Sequence, residues 1–367
     1  MFDEQVVRRD PQVADLMDQF VCVRLVQANA MDLSLFQFDY DLTFAVFFLN
    51  ADKTVYGRFS SRSDRKDATK EITLEGFRKA LAAALDLHKG YPANKASLAG
   101  KQPLPPRFKS PEEYPSLRGK YQATLDYEGK VVQSCMHCHQ VRDAERLFFR
   151  ADRKPIPDEV LYPWPMPNVA GLSLDPKEKA KVRSVAPGSA AAKDGFRAGD
   201  ELLTLEGQPL LSIADVQWVL HHALQPARLK AEVLRGNNKR ALTLNLSKDW
   251  RRQSDISWRV TTWDLRRMAT GGLVLREATA EERRQANLPD SALALRVEHV
   301  GEYGDHAAAK RAGFKKDDLV VSVDDQAGRL TESELLGYLL QNKMPGARVP
   351  VAVLRAGERV NLELPMQ

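Results

Sequence analysis

Cysteine is scarce in this chain. Its 367 residues include three, Cys22, Cys135 and Cys138, too few for the disulfide framework of a small secreted scaffold. Long apolar runs are missing as well. The longest, Leu42 to Leu49, is interrupted by Thr43 and falls far short of the ~20 residues a membrane helix needs. There is no large surplus of one charge. Lys plus Arg is 54 and Asp plus Glu is 49, a formal net charge of +5 with both signs interspersed, which argues against a nucleic-acid partner. Neither GxSxG nor GNSGG occurs, so no serine-hydrolase motif is visible. The opening residues, MFDEQVVRRDPQVAD, lack the apolar core of about 7–15 residues that marks a secretory signal. Taken literally, that start points to the cytoplasm. The remaining composition is that of an ordinary globular protein. Hydrophobic residues are 43% and charged residues 28%, which excludes wholesale disorder. At ~150 residues per domain the length predicts two or three domains.

Proline supplies the punctuation. Six prolines fall between Pro92 and Pro115 and six more between Pro155 and Pro176, out of 20 in all. Proline fixes φ and removes an amide donor, so these stretches are extended connectors. They set off residues 1–98, a Pro-rich connector over 99–168, and two further domains over 169–248 and 255–367.

Residues 1–98 alternate between helix and strand. Asp10-Pro11 opens a helix with proline at its first position. FVCVRLV, Phe20 to Val26, predicts an apolar strand with Cys22 as a small buried residue. LTFAVFFLN and TVYGRF predict two antiparallel strands about the turn Asn50 to Lys53. Phe77, Leu81, Ala84 and Leu85 give the last helix its apolar face. Asp10-Pro11-Gln12-Val13-Ala14, Phe20-Val21-Cys22-Val23-Arg24 and Phe48-Leu49-Asn50-Ala51-Asp52-Lys53 together resemble an α/β thioredoxin-like family over about a quarter of the chain. The redox-active members of that family carry CxxC at the start of the first helix, before this match begins. Residues 1–21 hold no such pair, and Leu42 stands at the cis-proline position. The resemblance therefore implies the fold without thiol-disulfide activity in this domain.

The C-terminal half contains an internal repeat. Ser189-Ala190-Ala191-Ala192-Lys193-Asp194-Gly195-Phe196-Arg197-Ala198-Gly199-Asp200 recurs from His306 to Asp318, and Val233-Leu234-Arg235 recurs as Val353-Leu354-Arg355. A spacing this long means two copies of a whole domain. In each copy an alanine-rich helix ends at a glycine suited to the left-handed cap. An Asp-led strand, an amphipathic helix and two closing strands follow. The stretch APGSAAAKDGFRAGD resembles α+β PDZ domains, partly open β-barrels, in the form found in high-temperature-requirement-type proteases. That resemblance implies that peptides or protein C-termini add as a strand to an exposed sheet edge. It places the carboxylate loops at Gly171-Leu172-Ser173-Leu174 and Gly272-Leu273-Val274-Leu275. The helix walls would be Val216, Val219 and Leu220 in the first copy, and Leu335, Leu336 and Leu339 in the second. Ordinary core packing is the competing reading of these apolar residues. The second copy departs at Lys316-Asp317-Asp318 and carries an insertion from Arg276 to Asp290, so it is expected to keep the fold with altered ligand binding. Ser173, Ser189, His221 and His222 all fall in PDZ context, which leaves no catalytic triad to assemble.

The connector holds Cys135-Met136-His137-Cys138-His139. CxxCH is the attachment sequence of c-type haem. Two thiols add to the two vinyl groups of the porphyrin, and the adjacent imidazole of His139 lies under the iron. A redox dithiol, half of a zinc site and chance are the alternatives. Met166, in the stiff PWPMP stretch, is the first candidate for the sixth iron ligand, against a simple packing role; His88 is the second. Haem attachment requires export, so the motif predicts a periplasmic or otherwise exported protein despite the absent leader. The combined expectation is a haem c-carrying, peptide-binding adaptor rather than an enzyme. A thiol-disulfide oxidoreductase using Cys135 and Cys138, or a purely scaffolding PDZ protein, are the alternatives.

Overall fold

The computed structural model describes residues 10–67 and 70–367. The chain divides into two compact units, Met1–Val141 with Tyr162–Ser254, and Arg142–Leu161 with Asp255–Gln367. The opening nine residues, on which the reading of an absent leader rests, lie outside the described residues.

The first unit begins with α1, Pro11–Met17, whose Asp10 side chain caps the Gln12 amide. Strands β1, Val46–Leu49, and β2, Val55–Phe59, form an antiparallel hairpin. Asp52 closes its turn by accepting from the Thr54 amide and hydroxyl. Helix α2, Leu74–Lys89, is capped by Thr73 and lays Phe77, Ala80, Leu81 and Ala84 against Val13, Met17, Phe48 and Phe59. The hairpin and the two helices sit where the sequence predicts them. The strand expected over Phe20 to Val26 does not form. That segment has no regular secondary structure and pairs with nothing in a sheet, since β1 and β2 pair only with each other among the described strands. Val21 is 93% and Val23 79% exposed. Cys22 is exposed rather than buried. A β-branched run has strand propensity, but a strand exists only where a neighbour supplies the ladder. The strand expected over LTFAVFFLN is likewise shorter, starting at Val46.

Helix α3, Cys138–Ala151, runs from the first unit into the second. The first repeat copy then folds as β3, Leu172–Leu174, β4, Val182–Val185, β5, Glu201–Leu205, β6, Gln208–Pro209, helix α4, Ile213–His222, and the hairpin of β7, Ala227–Arg235, with β8, Asn238–Leu246. Strand β3 pairs only with β4, and the remaining strands lie in the order β6-β5-β7-β8. The second copy has α5, Thr262–Thr270, β9, Leu273–Glu277, β10, Leu295–Val300, β11, Leu319–Val323, α6, Glu332–Asn342, β12, Arg348–Arg355, and β13, Glu358–Pro365, in one sheet of order β13-β12-β11-β10-β9. The insertion expected over Arg276 to Asp290 contains a helix, Ala280–Gln285, with a reciprocal cap between Thr279 and Glu282.

The repeat has a physical basis. Asp200 accepts from Arg235 at 2.7 and 2.8 Å, and Asp318 accepts from Arg355 at the same two distances. Each pair ties the strand after the short helix to the end of the VLR strand with a two-pronged bond. Gly199 takes a left-handed φ of 88° before Asp200, and Asp317 holds φ 69° before Asp318. An aspartate tolerates that region better than most residues, so the fold survives the departure in the second copy.

Within the first unit, α4 is also tied to residues 57–101. Asp215 accepts from the Arg58 and Leu211 amides and from Lys101 Nζ at 2.8 Å. Ser212 donates to the Arg58 carbonyl, and Trp218 Nε1 donates to the Gly100 carbonyl. The Arg58 guanidinium lies 3.5 Å over the Trp218 ring. A side chain at Gly57 would collide with Leu211 and Asp215, so glycine permits this approach.

Candidate functional site: two sheet edges with opposite fates

Strand β3 is an edge. Leu172 faces Val185 and Leu174 faces Val182 across the ladder. The Ala186 amide donates to the Gly171 carbonyl, and the Asp175 amide to the Lys181 carbonyl, both at 2.8 Å. Bonds at those flanking positions make Leu172 and Leu174 the non-hydrogen-bonded residues of the pair. Their own amides and carbonyls therefore point away from β4, along the free edge. Gly171 turns the chain into this strand at φ 85°, with its amide already given to the Asn168 carbonyl. Ser173 points the other way, and its hydroxyl accepts from Arg183. Beneath the edge, Leu172, Val216 and Leu220 meet Pro167, Ala170 and Phe196 around a cavity of about 10 Å³ with wholly apolar walls. Val219 is buried in the same core. The segment expected as the carboxylate loop of the first copy is therefore strand from Leu172 to Leu174, with the Gly171 amide already given to Asn168, and most of the expected helix-wall residues are buried rather than open to solvent.

The second copy carries the same edge on β9. The Gly301 amide donates to the Gly272 carbonyl, and Leu273 faces Val300, so Leu273 and Leu275 turn their polar groups outward. Val274 lies between them, opposite His299. Here the chain fills its own edge. Glu332 Oε1 accepts the Leu275 amide at 2.8 Å. The Thr270 hydroxyl reaches the Leu273 carbonyl at 3.1 Å and the Arg266 carbonyl at 3.0 Å. Arg266 clasps Glu332 at 2.9 and 2.6 Å. Helix α5 packs against both β9 and α6 and buries Leu265 and Met268 completely. Glu332 is the first residue of its helix, where the first copy has Ile213. Arg266, Thr270 and Glu332 were not found by sequence reasoning. The one available signal was a carboxylate at the first helix position of one copy against isoleucine in the other.

The CxxCH segment lies in the first unit. Asn29 clamps it, donating to the Ser134 and Gln122 carbonyls and accepting the Met136 amide. The Ala28 amide donates to the Met136 carbonyl. Met136 is fully buried, while Cys135 and Cys138 are half-buried free thiols. Burial pushes the Cys138 thiol up. Burial, then repulsion from His137, pushes His139 down. The His137 and His139 rings stack 5.5 Å apart. Two free thiols and an adjacent imidazole are a donor set chemically able to carry haem. Met166 packs against the first PDZ core, and His88 Nδ1 is hydrogen-bonded to the Tyr56 hydroxyl at 2.9 Å. Ser189 caps its short helix by accepting from Ala192 and donates to the Ala186 carbonyl. His221 stacks on Trp164 with centroids 4.6 Å apart.

Residues 164–246 match the PDZ domain family. The chain is 29% identical over 162 residues to the periplasmic pH-dependent serine endoprotease DegQ of Escherichia coli K12, across 44% of this chain and 32% of that protein. It is 27% identical over 188 residues to a probable periplasmic serine endoprotease, DegP-like, of Halomonas elongata, across 51% and 37%. Among solved structures it resembles the HtrA-type protease AlgW with tripeptide, at 27% identity and a TM-score of 0.21 over 26% of this chain and 29% of that one. The chain spans about a third of the length of these curated relatives. Two expectations are corrected by them. The haem-carrying adaptor, with its oxidoreductase and scaffold alternatives, and the leaning away from an enzyme give way to a relation with serine endoproteases. No helix among the described residues is long and apolar enough to cross a membrane. Over residues 164–246 the chain carries a PDZ domain.

Proposed function

We propose that this chain serves periplasmic serine endoproteolysis, with its first PDZ domain capturing an extended peptide by strand addition and holding it for cleavage. The observation that carries the reading is the outward-turned backbone of Leu172 and Leu174 on β3, bordered by α4. Main-chain groups on a free edge supply affinity for any extended segment. The protease relatives supply the purpose of holding one. The test is cleavage of an unfolded casein by the full chain, alone and with a periplasmic serine endoprotease. Fluorophosphonate labelling then reports which polypeptide bears the reactive serine. A casein cleavage rate unchanged in both settings refutes the proposal.

Two narrower readings accompany it. Residues 10–98 are read as thioredoxin-like from the hairpin followed by α2. The cofactor question is separate from the chain's role in proteolysis. Cys135, Cys138 and His139 are proposed as a haem c attachment site, supported by the two free thiols and the imidazole that follows Cys138 directly. Periplasmic expression with the haem-maturation machinery and an intact-mass measurement tests this. An unmodified mass refutes it.

A further inference from the structure

We infer that the second PDZ copy is a shut site: helix α5 and Glu332 are its built-in occupant, and an extended segment adds to β9 only once they are displaced. This rests on the strand-addition reading above but concerns a different edge, β9 in the second unit.

The argument starts from the backbone groups of the edge. Leu273 and Leu275 are consecutive outward residues of β9. An added antiparallel strand exchanges one amide bond and one carbonyl bond with each such residue. At both residues one of the two is already taken. Glu332 Oε1 accepts the Leu275 amide at 2.8 Å, and the Thr270 hydroxyl reaches the Leu273 carbonyl at 3.1 Å. Glu332 opens α6 and Thr270 closes α5, so two separate helices are committed to the same edge. Helix α5 is itself fixed there. It packs on β9 and α6 with Leu265 and Met268 fully buried. Arg266 bonds Glu332 at 2.9 and 2.6 Å and the Ser257 carbonyl at 3.2 Å. The Gln367 amide and side chain donate to the Met268 and Arg267 carbonyls, both at 3.1 Å. A free segment must displace groups that are tethered beside the edge, and a short tether gives an effective concentration on the order of millimolar. The first copy is built differently. Its helix opens with Ile213, whose side chain has no acceptor to offer. Its edge strand follows the four-residue turn Pro167–Ala170, where the second copy has the nine-residue α5.

The test is hydrogen exchange, read by mass spectrometry, on the full chain with and without an excess of unfolded casein. In the unmodified chain casein should slow exchange over 172–175 and leave 273–277 unchanged. Arg266→Ala with Glu332→Ile removes both charges together and gives α6 the residue type that opens α4. Exchange over 262–270 should then rise by about tenfold or more, as loss of a charge-assisted bond implies. Casein should now slow exchange over 273–277 as well. If this variant fails to fold, Arg266→Met with Glu332→Ile keeps more of the volume and is judged on the same two segments. Casein protection of 273–277 in the unmodified chain overturns the inference. So does a variant in which α5 exchanges no faster, or one in which α5 is loosened and β9 still gains no protection. Protection over 172–175 is read separately, and its absence overturns peptide capture by the first copy whatever β9 does.

Discussion

Removing the carboxylate of Glu332 should unlock the second copy, and the structure sets the size of the effect. Glu332 accepts the Leu275 amide and two bonds from Arg266. The two side chains are only 5% and 6% exposed. In Glu332→Ala the guanidinium stays buried without its partner, which costs about 3–5 kcal/mol. The orphaned amide belongs to the same network, so its desolvation does not simply add. Glu332→Gln keeps one acceptor oxygen for the Leu275 amide and Arg266 Nε but removes the negative charge and the second acceptor of Arg266, so about 1.5–3 kcal/mol is expected. The double variant Arg266→Met with Glu332→Leu removes both charges and refills the volume. It should return to within about 2 kcal/mol of the parent, since apolar replacements of buried pairs are often neutral. Hydrogen exchange of peptides covering 262–277 reads this locally and avoids treating a two-unit chain as two-state. A loss below about 1 kcal/mol in Glu332→Ala, or a double variant as unstable as the single, would refute this reasoning.

Other outcomes follow from the same geometry. Asp215→Ala leaves Lys101 buried beside Arg58 and should cost about 3–5 kcal/mol in the first unit, read by hydrogen exchange of peptides covering 213–222. Gly171→Ala forces a Cβ within 2.1 Å of Ser189 at a left-handed φ, so β3 should lose exchange protection and peptide affinity together. Arg276 holds the Glu282 carboxyl down at about 2. A lowered folded-state pKa gives stability that is full above the ordinary carboxyl range near 4.5 and is lost as pH falls toward 2. Glu282→Gln should flatten that part of the acid titration of the second unit, followed by exchange over 276–298.

The repeat was legible because its signature residues do one physical job twice. A left-handed turn followed by aspartate, and an arginine at the end of VLR, are visible as letters and meet as a bidentate pair in both copies. The hairpin and α2 were legible from alternation, turn residues and helical spacing. Phe20 to Val26 was misread because composition reports what a residue tolerates and not whether a neighbouring strand exists. The resemblance put a carboxylate loop at Gly171 to Leu174, where the folded chain has the edge strand Leu172–Leu174. The closure of the second could not. Thr270 lies before its strand and Glu332 far beyond it in sequence, and only the folded chain brings them to Leu273 and Leu275. The relation to proteolysis was obscured by a motif, CxxCH, that carries strong chemical meaning over only five residues.

The seat of α4 has a kinetic consequence. Lys101, Arg58 and Gly100 grip one side of this helix while the PDZ core grips the other. A groove wall fixed on both sides has little freedom to rock open for an arriving peptide. Association should then approach rigid docking, with little ordering entropy lost by the protein itself. Differences among peptides would appear mainly in how long each stays bound, with arrival rates nearly alike. Loosening the grip from the N-terminal side would convert this groove from a preset mould into one that adapts, trading discrimination for breadth.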